Sequence, residues 1–163
     1  MPVCDDAPMQ RINIGSEPHG YDESDPAGFR TGMVRMGPTL GAVRTGASAY
    51  ELPPGQAICP YHYEYGEEEW LVVLAGTPTL RHPDGTDTLA PLDVVHFPQG
   101  PSGAHLVRND TATTVRVLMF STRSVPAVAV YPDSGKVGVW TGNAADDVLA
   151  RRPANVDYWD GEA

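Results

Sequence analysis

Residues 54–70, PGQAICPYHYEYGEEEW, decide the fold of this chain. Side chains two residues apart on a strand point to the same face, so His62 and Glu64 share one face. Gly66 allows a tight turn, after which Glu69 begins a second strand that is apolar up to residue 75. An antiparallel return would place Glu69 opposite His62 and Glu64, with Cβ atoms about 5 Å apart. The stretch therefore predicts two neighbouring strands that aim one imidazole and two carboxylates at a single point.

A second stretch, FPQGPSGAHLVRN at residues 97–109, supplies another imidazole, that of His105. If its strand faces the same interior, two nitrogen and two oxygen ligands converge. The sequence thus predicts a mononuclear site for a divalent transition metal. Mixed nitrogen and oxygen ligands suit Fe, Mn, Ni or Zn and do not identify the ion. The candidate metal ligands are His62, Glu64, Glu69 and His105.

The rest of the chain predicts an all-β protein of one domain. Its 163 residues suit a single core, and 17 glycines and 16 prolines favour short strands joined by turns. Eight to ten strands at regular turn spacing predict a sandwich or a jelly-roll barrel. Residues 1–35 are interpreted as an irregular N-terminal arm, residues 36–140 as the barrel, and residues 141–163 as a C-terminal tail that packs on it. One helix is predicted, over residues 144–151, with Asn143 as its N-cap.

Composition excludes some function classes. The net charge of −10 leaves no basic footprint for phosphates, so no nucleic-acid partner is expected. No apolar run approaches the roughly 18 residues of a membrane span, so no membrane partner is expected. Two cysteines, Cys4 and Cys59, are too few for a disulfide framework, and the first residues lack the features of a signal peptide. We therefore expect a cytoplasmic protein.

The two quoted stretches resemble the two motifs of the cupin superfamily, G-x5-H-x-H-x3-4-E-x6-G and G-x5-P-x-G-x2-H-x3-N. The resemblance covers residues 40–121 and extends to small single-domain bacterial cupins, most of which have no assigned reaction. It implies a double-stranded β-helix, that is, a jelly-roll barrel of the cupin type, and it implies metal binding. The matching residues in the first motif are His62, Glu69 and Gly76. Those in the second motif are Pro98, Gly100, His105 and Asn109.

Two departures from the motifs bear on the site. Glu64 stands where the first motif has its second His, and Leu92 stands at the opening glycine of the second motif. With two carboxylates, a divalent ion would leave the site near zero net charge. Glu64 could instead have destroyed the site, be protonated, or pair with a cation such as Arg44, because an unpaired buried charge is costly. If three side chains bind, two His and one carboxylate leave positions open for a substrate.

Two further features have structural interpretations. By strand parity, Cys59 is expected on the opposite face from His62, as a buried thiol. The aromatic stripe Tyr61, Tyr63 and Tyr65, together with Trp70, is expected to pack between sheets. The alternative for the stripe is a dimer interface, since aromatic residues supply interface area and cupins are often homodimers.

Two function classes remain open from the sequence. The first is an enzyme, either a small-molecule dioxygenase or an isomerase, in which Glu64 is the candidate catalytic residue. Glu64 or Glu69 could act there as a base on a substrate with two oxygen ligands. The second is a non-catalytic cupin that binds a small molecule. Both classes imply a small-molecule ligand or substrate as the partner.

Overall fold

A computed structural model describes residues 9–152 and 155–162. The described chain is built of short β-strands, with one four-residue helix and one turn of 3-10 helix at Pro101–Gly103. This confirms the all-β prediction. None of the helices in these residues is long and apolar enough to cross a bilayer. The elements are β1 Gly32–Arg35, α1 Met36–Thr39, β2 Thr45–Leu52, β3 Tyr63–Tyr65, β4 Glu69–Ala75, β5 Thr79–His82, β6 Gly85–Thr88, β7 Val94–Phe97, β8 Leu106–Arg108, β9 Val115–Thr122, β10 Ala127–Tyr131, β11 Lys136–Trp140 and β12 Val148–Arg151.

The strands form three antiparallel sheets. The largest has the order β1-β2-β9-β4-β7, the second β12-β11-β10-β3, and the third β6-β5-β8. Sequence neighbours are often not sheet neighbours, as in β2 beside β9 and β3 beside β10. Such crossovers between sheets are what a jelly-roll connectivity requires.

The main core lies on the inner face of the five-stranded sheet. Strand β4 contributes Leu71 and Val73, both fully buried. Its other face carries Trp70, which is 37% exposed, so this strand is not covered on both faces as its continuous apolar sequence predicts. The buried residues of the core are Leu52, Leu71, Val73, Leu80, Leu89, Phe97, Val107, Val115 and Val117.

The C-terminal helix prediction is wrong. Asn143 begins a turn in which its side-chain amide donates to Asp146, and the chain then forms strand β12 over Val148–Arg151. All four residues of β12 pair with β11. The hydrogen bonds offered by the open edge of β11 outweigh the local helical preference of this segment. The N-terminal arm is also not irregular throughout, because its last four residues form β1, which pairs with β2.

Strands β3 and β4 do not pair, which corrects the predicted antiparallel return. Strand β3 lies beside β10 in one sheet, whereas β4 lies between β9 and β7 in another. Gly66, with φ of 85°, turns the chain from one sheet to the other. His62 and Glu69 therefore approach each other across the space between sheets and not as neighbours within one sheet.

Candidate metal centre

His62 and His105 are direct partners across two strands. The two residues form an isolated antiparallel bridge in which each backbone N–H donates to the other carbonyl, at 3.1 and 2.8 Å. Opposite residues of such a pair place their side chains on the same face. The imidazole centroids are accordingly 4.7 Å apart. The sequence predicted that these two rings would meet, but not that they would be bridge partners.

Glu69 completes a group of three potential ligands. Its Oε2 atom lies 3.8 Å from His62 Nε2 and 3.5 Å from His105 Nε2. The three ligand atoms all lie within 4.8 Å of one another. Ligands about 2.1 Å from one ion are separated from each other by roughly 3.0–3.4 Å. The two distances to Glu69 exceed this spacing by less than about 1 Å, so small side-chain movements would let these atoms bind a single cation.

Backbone carbonyls fix the tautomer of both imidazoles. Nδ1 of His62 lies 3.0 Å from the carbonyl oxygen of Pro60, and Nδ1 of His105 lies 2.9 Å from that of Gly103. A carbonyl oxygen only accepts, so each Nδ1 carries the proton and each Nε2 presents a lone pair. Nε2 of His105 is buried without a hydrogen-bond partner. This outer set of contacts is typical of metal-binding histidines.

The pKa values of the three side chains in the absence of an ion are also consistent with a cation site. Burial, and then the charge of the nearby His62, lower the pKa of His105 to about 3. Burial lowers the pKa of His62 as well, while burial and the charge of Glu67 raise the pKa of Glu69 to about 7. Neutral imidazoles are the form that binds metal, and a divalent ion would return the Glu69 pKa towards its usual range.

Glu64 lies beside this group and not within it. The pKa of Glu64 rises to about 9, first through burial, then through the charge of Glu69 and the hydrogen bond and charge of Glu67. Its Oε2 is buried and has no hydrogen-bond partner. Among the described residues, neither Arg44 nor another cation forms an ion pair with it. The Glu64 carboxyl therefore lies within reach of the charges of Glu69 and Glu67, and one of its two oxygens has no hydrogen-bond partner.

A cavity of about 230 Å³ opens on the site. His62 and Glu69 form part of its wall, and Ser48, Ser121 and Met119 form other parts. Met119 is the apolar one of these three residues. Leu71, Val73 and Phe97 belong to the packed core, and Val95 packs against it. Phe97 instead stacks on the His105 ring, with centroids 3.7 Å apart.

Cys59 is a site residue that parity reasoning placed on the wrong side. Its Sγ lies 3.5 Å from Nδ1 of His62, and the residue lines the metal cavity. The segment before β3 is irregular, so strand alternation does not apply there. Burial, then the charges of Glu69 and Glu64, raise the pKa of the thiol. Cys59 lies only three residues before His62 in the sequence, and this closeness could have indicated that it belongs to the site.

The other candidates lie away from the three ligands. Glu68, the alternative to Glu69, is exposed. Tyr61 and Tyr63 are buried in a second small core, as predicted, but Tyr65 and Trp70 are substantially exposed. Trp70 contacts His96 on the outer face of the five-stranded sheet, with ring centroids 4.5 Å apart. Cys4 lies outside the described residues.

Comparisons with known proteins agree with this architecture. The family model described as Cupin domain matches residues 48–121. No curated protein sequence matches the chain. A crystal structure of a candidate sugar phosphate isomerase from Acidithiobacillus ferrooxidans is 27% identical, with a TM-score of 0.72. The match covers 79% of this chain and 81% of that one.

Two more distant structures share the fold. A sugar phosphate isomerase of the cupin superfamily from Silicibacter pomeroyi is 22% identical, covers 89% of this chain and 94% of its own, and has a TM-score of 0.76. The polyketide cyclase RemF from Streptomyces resistomycificus is 22% identical, with coverage of 73% and 83% and a TM-score of 0.58. The family model thus matches residues 48–121 as a cupin domain, and the solved structures show that the described chain shares the cupin fold.

Proposed function

We propose that this protein is a metal-dependent isomerase of a small polyhydroxylated substrate, in which Glu64 transfers the proton. The supporting observation is the buried, unpartnered carboxylate oxygen of Glu64 beside the three potential ligands. A carboxyl group held near a metal centre, but free of strong hydrogen bonds, is suited to exchange a proton with a bound substrate. Glu64 remains the candidate catalytic residue, and its alternative role as a fourth ligand is tested below.

In this proposal His62, Glu69 and His105 hold the ion. The bound cation would supply positive charge where negative charge develops on substrate oxygens. With the ion bound, its positive charge would lower the pKa of Glu64, and the ionised carboxylate then takes a proton from the carbon next to a carbonyl group and returns it to the neighbouring carbon. A hydroxyl proton moves to the former carbonyl oxygen, so the product is an isomer and no oxidant is consumed. The hydroxyl groups of Ser48 and Ser121 on the cavity wall offer hydrogen bonds to a polyhydroxylated molecule.

The relatives favour isomerisation over the other enzyme class. The Acidithiobacillus ferrooxidans protein, at 27% identity, is a candidate sugar phosphate isomerase. Proton transfer also requires a base that is not itself a ligand of the ion, and we assign that role to Glu64. The predicted dioxygenase activity and the non-catalytic binding function have no comparable support. The small-molecule substrate, the homodimer and the cytoplasmic location stay predictions.

The test measures metal content and proton transfer in the same preparations. Wild type, Glu64→Gln and the control Glu68→Gln are incubated in deuterium oxide with a panel of aldoses, ketoses and their phosphates. Deuterium incorporation at carbon is followed by NMR. We expect wild type and Glu68→Gln to exchange carbon-bound hydrogen, and Glu64→Gln to retain its metal but lose about 10²–10⁴-fold of the rate.

Other outcomes would contradict the proposal in distinct ways. Loss of metal from Glu64→Gln would make Glu64 a ligand, as the sequence predicted, and would remove it as the proton carrier. Exchange that is equally fast in Glu64→Gln would exclude its role directly. Oxygen uptake by the iron-loaded protein, without deuterium exchange, would favour a dioxygenase. Ligand binding with neither activity would favour a binding protein.

A further inference from the structure

A second cavity, of about 400 Å³, adjoins the metal cavity. Four residues line both cavities: Gly46, Ala47, Ser48 and Ser121. Three of them, Gly46, Ser48 and Ser121, lie on the strand face that also carries Glu69, since Ser121 pairs with both Gly46 and Glu69. The two cavities are therefore neighbouring parts of one cleft that begins at the candidate ligands.

Small side chains keep the junction of the two cavities narrow but open. At Gly46, an added Cβ would lie 3.1 Å from the Ser121 hydroxyl and 3.9 Å from Cγ of Arg123. Cγ of Arg123 thus lies beside this glycine, and Arg123 is also a wall residue of the second cavity. A ligand longer than the metal cavity can extend past Gly46 towards Arg123.

Two arginines, Arg35 and Arg123, line the second cavity, and neither forms an ion pair within the described residues. By contrast, Arg81, Arg108 and Arg116 each pair with a carboxylate on the surface. Two arginines without an ion pair therefore border one cavity in a chain with 21 acidic and 11 basic residues. Guanidinium groups recognise phosphate and carboxylate oxygens with pairs of parallel hydrogen bonds.

Glu67 is the carboxylate on this wall, and it is already engaged. Its Oε1 accepts hydrogen bonds from the backbone N–H of Ser124 at 2.7 Å and from the Ser124 hydroxyl at 3.3 Å. One carboxylate against two guanidinium groups leaves the cavity wall with a net positive charge. That balance favours a doubly charged anion over a singly charged one, because both arginines can be neutralised together.

An aromatic ring lies on the same wall. Trp140 lines the second cavity and is 38% exposed. Its six-membered ring passes over Gly138, where any side chain would clash, since an added Cβ would lie 2.3 Å from the ring. Gly138 therefore lets the indole lie against the sheet with one side towards the cavity. Such a surface suits the apolar C–H face of a sugar, which packs on aromatic rings.

We propose that Arg35 and Arg123 bind the phosphate group of the substrate, and that the substrate is a sugar phosphate whose other end reaches the metal centre. The proposal rests on the proposed function for the identity of that other end. The phosphate occupies the second cavity, the carbon chain passes Gly46, and Trp140 contacts the sugar. This assigns a substrate class and a binding role to residues outside the metal centre.

Isothermal titration with inorganic phosphate tests the anion site separately from catalysis. The proteins compared are wild type, Arg35→Gln, Arg123→Gln and the control Arg108→Gln, each with its metal and again after chelation. We expect Arg35→Gln and Arg123→Gln to bind phosphate at least about tenfold more weakly than wild type. Arg108→Gln should match wild type, and chelation should leave most of the wild-type binding intact.

Three results would overturn the anion site. These are equal phosphate affinity in all four proteins, no binding to wild type, and binding that vanishes on chelation, which would assign the anion to the ion alone. Elemental analysis shows whether the variants keep their metal, and deuterium exchange measured on the same variants keeps the two proposals apart. Phosphate binding that depends on Arg35 and Arg123 in a protein without isomerase activity would support the anion site and contradict the proposed function. Normal deuterium exchange with unchanged phosphate affinity in the variants would support the proposed function and contradict the anion site.

Discussion

His62 and His105 are joined by a reciprocal pair of backbone hydrogen bonds, so the two imidazoles share one face through the main chain itself. Their geometry does not depend on the turn that follows Glu64. Glu69 comes from a different sheet and supplies the third ligand. The candidate centre thus depends on residues from different sheets, so its three side chains come together only when the fold is formed.

The first prediction concerns the metal. His62→Ala and His105→Ala should each weaken metal binding by about 100-fold or more, because each removes one of three ligands. Elemental analysis of protein purified without added metal measures the result. His96→Ala is the matched control, since His96 lies on the outer face against Trp70, and it should keep the metal. Near-stoichiometric metal in His105→Ala would exclude His105 as a ligand.

The alternation of side chains along a strand predicted much of the fold, because it depends only on neighbouring residues in the sequence. The strand Glu69–Ala75 was predicted with its observed bounds. Sheet partnership could not be predicted in the same way. The choice of β10 as the neighbour of β3 depends on packing between residues far apart in the sequence, which no local pattern records.

The same limit explains the errors at the site. Parity misplaced Cys59 because the chain before β3 has no regular strand geometry. Residues 144–151 have helical preferences, but the open edge of β11 recruits Val148–Arg151 as a strand. The motif spacing did identify His62, Glu69 and His105, since ligand spacing is constrained by the ion. Arg35 and Arg123 belong to no motif and became visible only as walls of one cavity.

The second prediction is a pH dependence of stability in the ion-free protein. The folded state keeps the Glu64 proton up to a pKa of about 9, whereas the unfolded chain releases it near 4.5. Between these values the folded state binds more protons, so the stability contributed by this group falls as pH rises. Glu64→Gln should therefore stabilise the ion-free protein by about 1–2 kcal/mol at pH 8, allowing for solvent screening of the partly exposed side chain.

The gain should shrink as the pH falls towards 4.5 and vanish below it, where both states of the wild type hold the proton. Denaturant unfolding in the presence of a chelator, at several pH values, measures this difference. Glu68→Gln is the control, because Glu68 is exposed and should show no such trend. A gain for Glu64→Gln that is independent of pH would contradict burial of a protonated Glu64.

The third prediction concerns Leu92, which has φ of 75° and is 79% exposed. This left-handed conformation costs a non-glycine residue about 1–2 kcal/mol, and the cupin motif has glycine at this position. Leu92→Gly should stabilise the protein by about 0.5–1 kcal/mol, because relief of strain exceeds the added entropy of the unfolded chain. Leu92→Ala keeps the strain and should give no gain. Equal gains for both variants in denaturant unfolding would show that strain is not the cause.

The fourth prediction assigns the motif residue Asn109 to the scaffold. It is fully buried, and its Nδ2 donates to the carbonyls of Leu52 and Thr113 at 2.8 and 2.7 Å. Its Oδ1 accepts from the backbone and hydroxyl of Thr111 at 2.9 and 2.7 Å. These contacts join the end of β2 to the turn before β9.

Both amide protons of Asn109 are used, so Asn109→Asp replaces a donor with an acceptor facing two carbonyl oxygens. We expect Asn109→Asp and Asn109→Ala each to lower the free energy of unfolding by about 2–4 kcal/mol, because buried partners lose their hydrogen bonds. Asn143→Ala, in an exposed turn, should cost less than about 1 kcal/mol. Denaturant unfolding measures the three values, and elemental analysis of the folded fraction should find the metal retained. Loss of metal from folded Asn109→Asp, with little change in stability, would instead connect this residue to the centre, because a scaffold residue acts on the ion only through the fold.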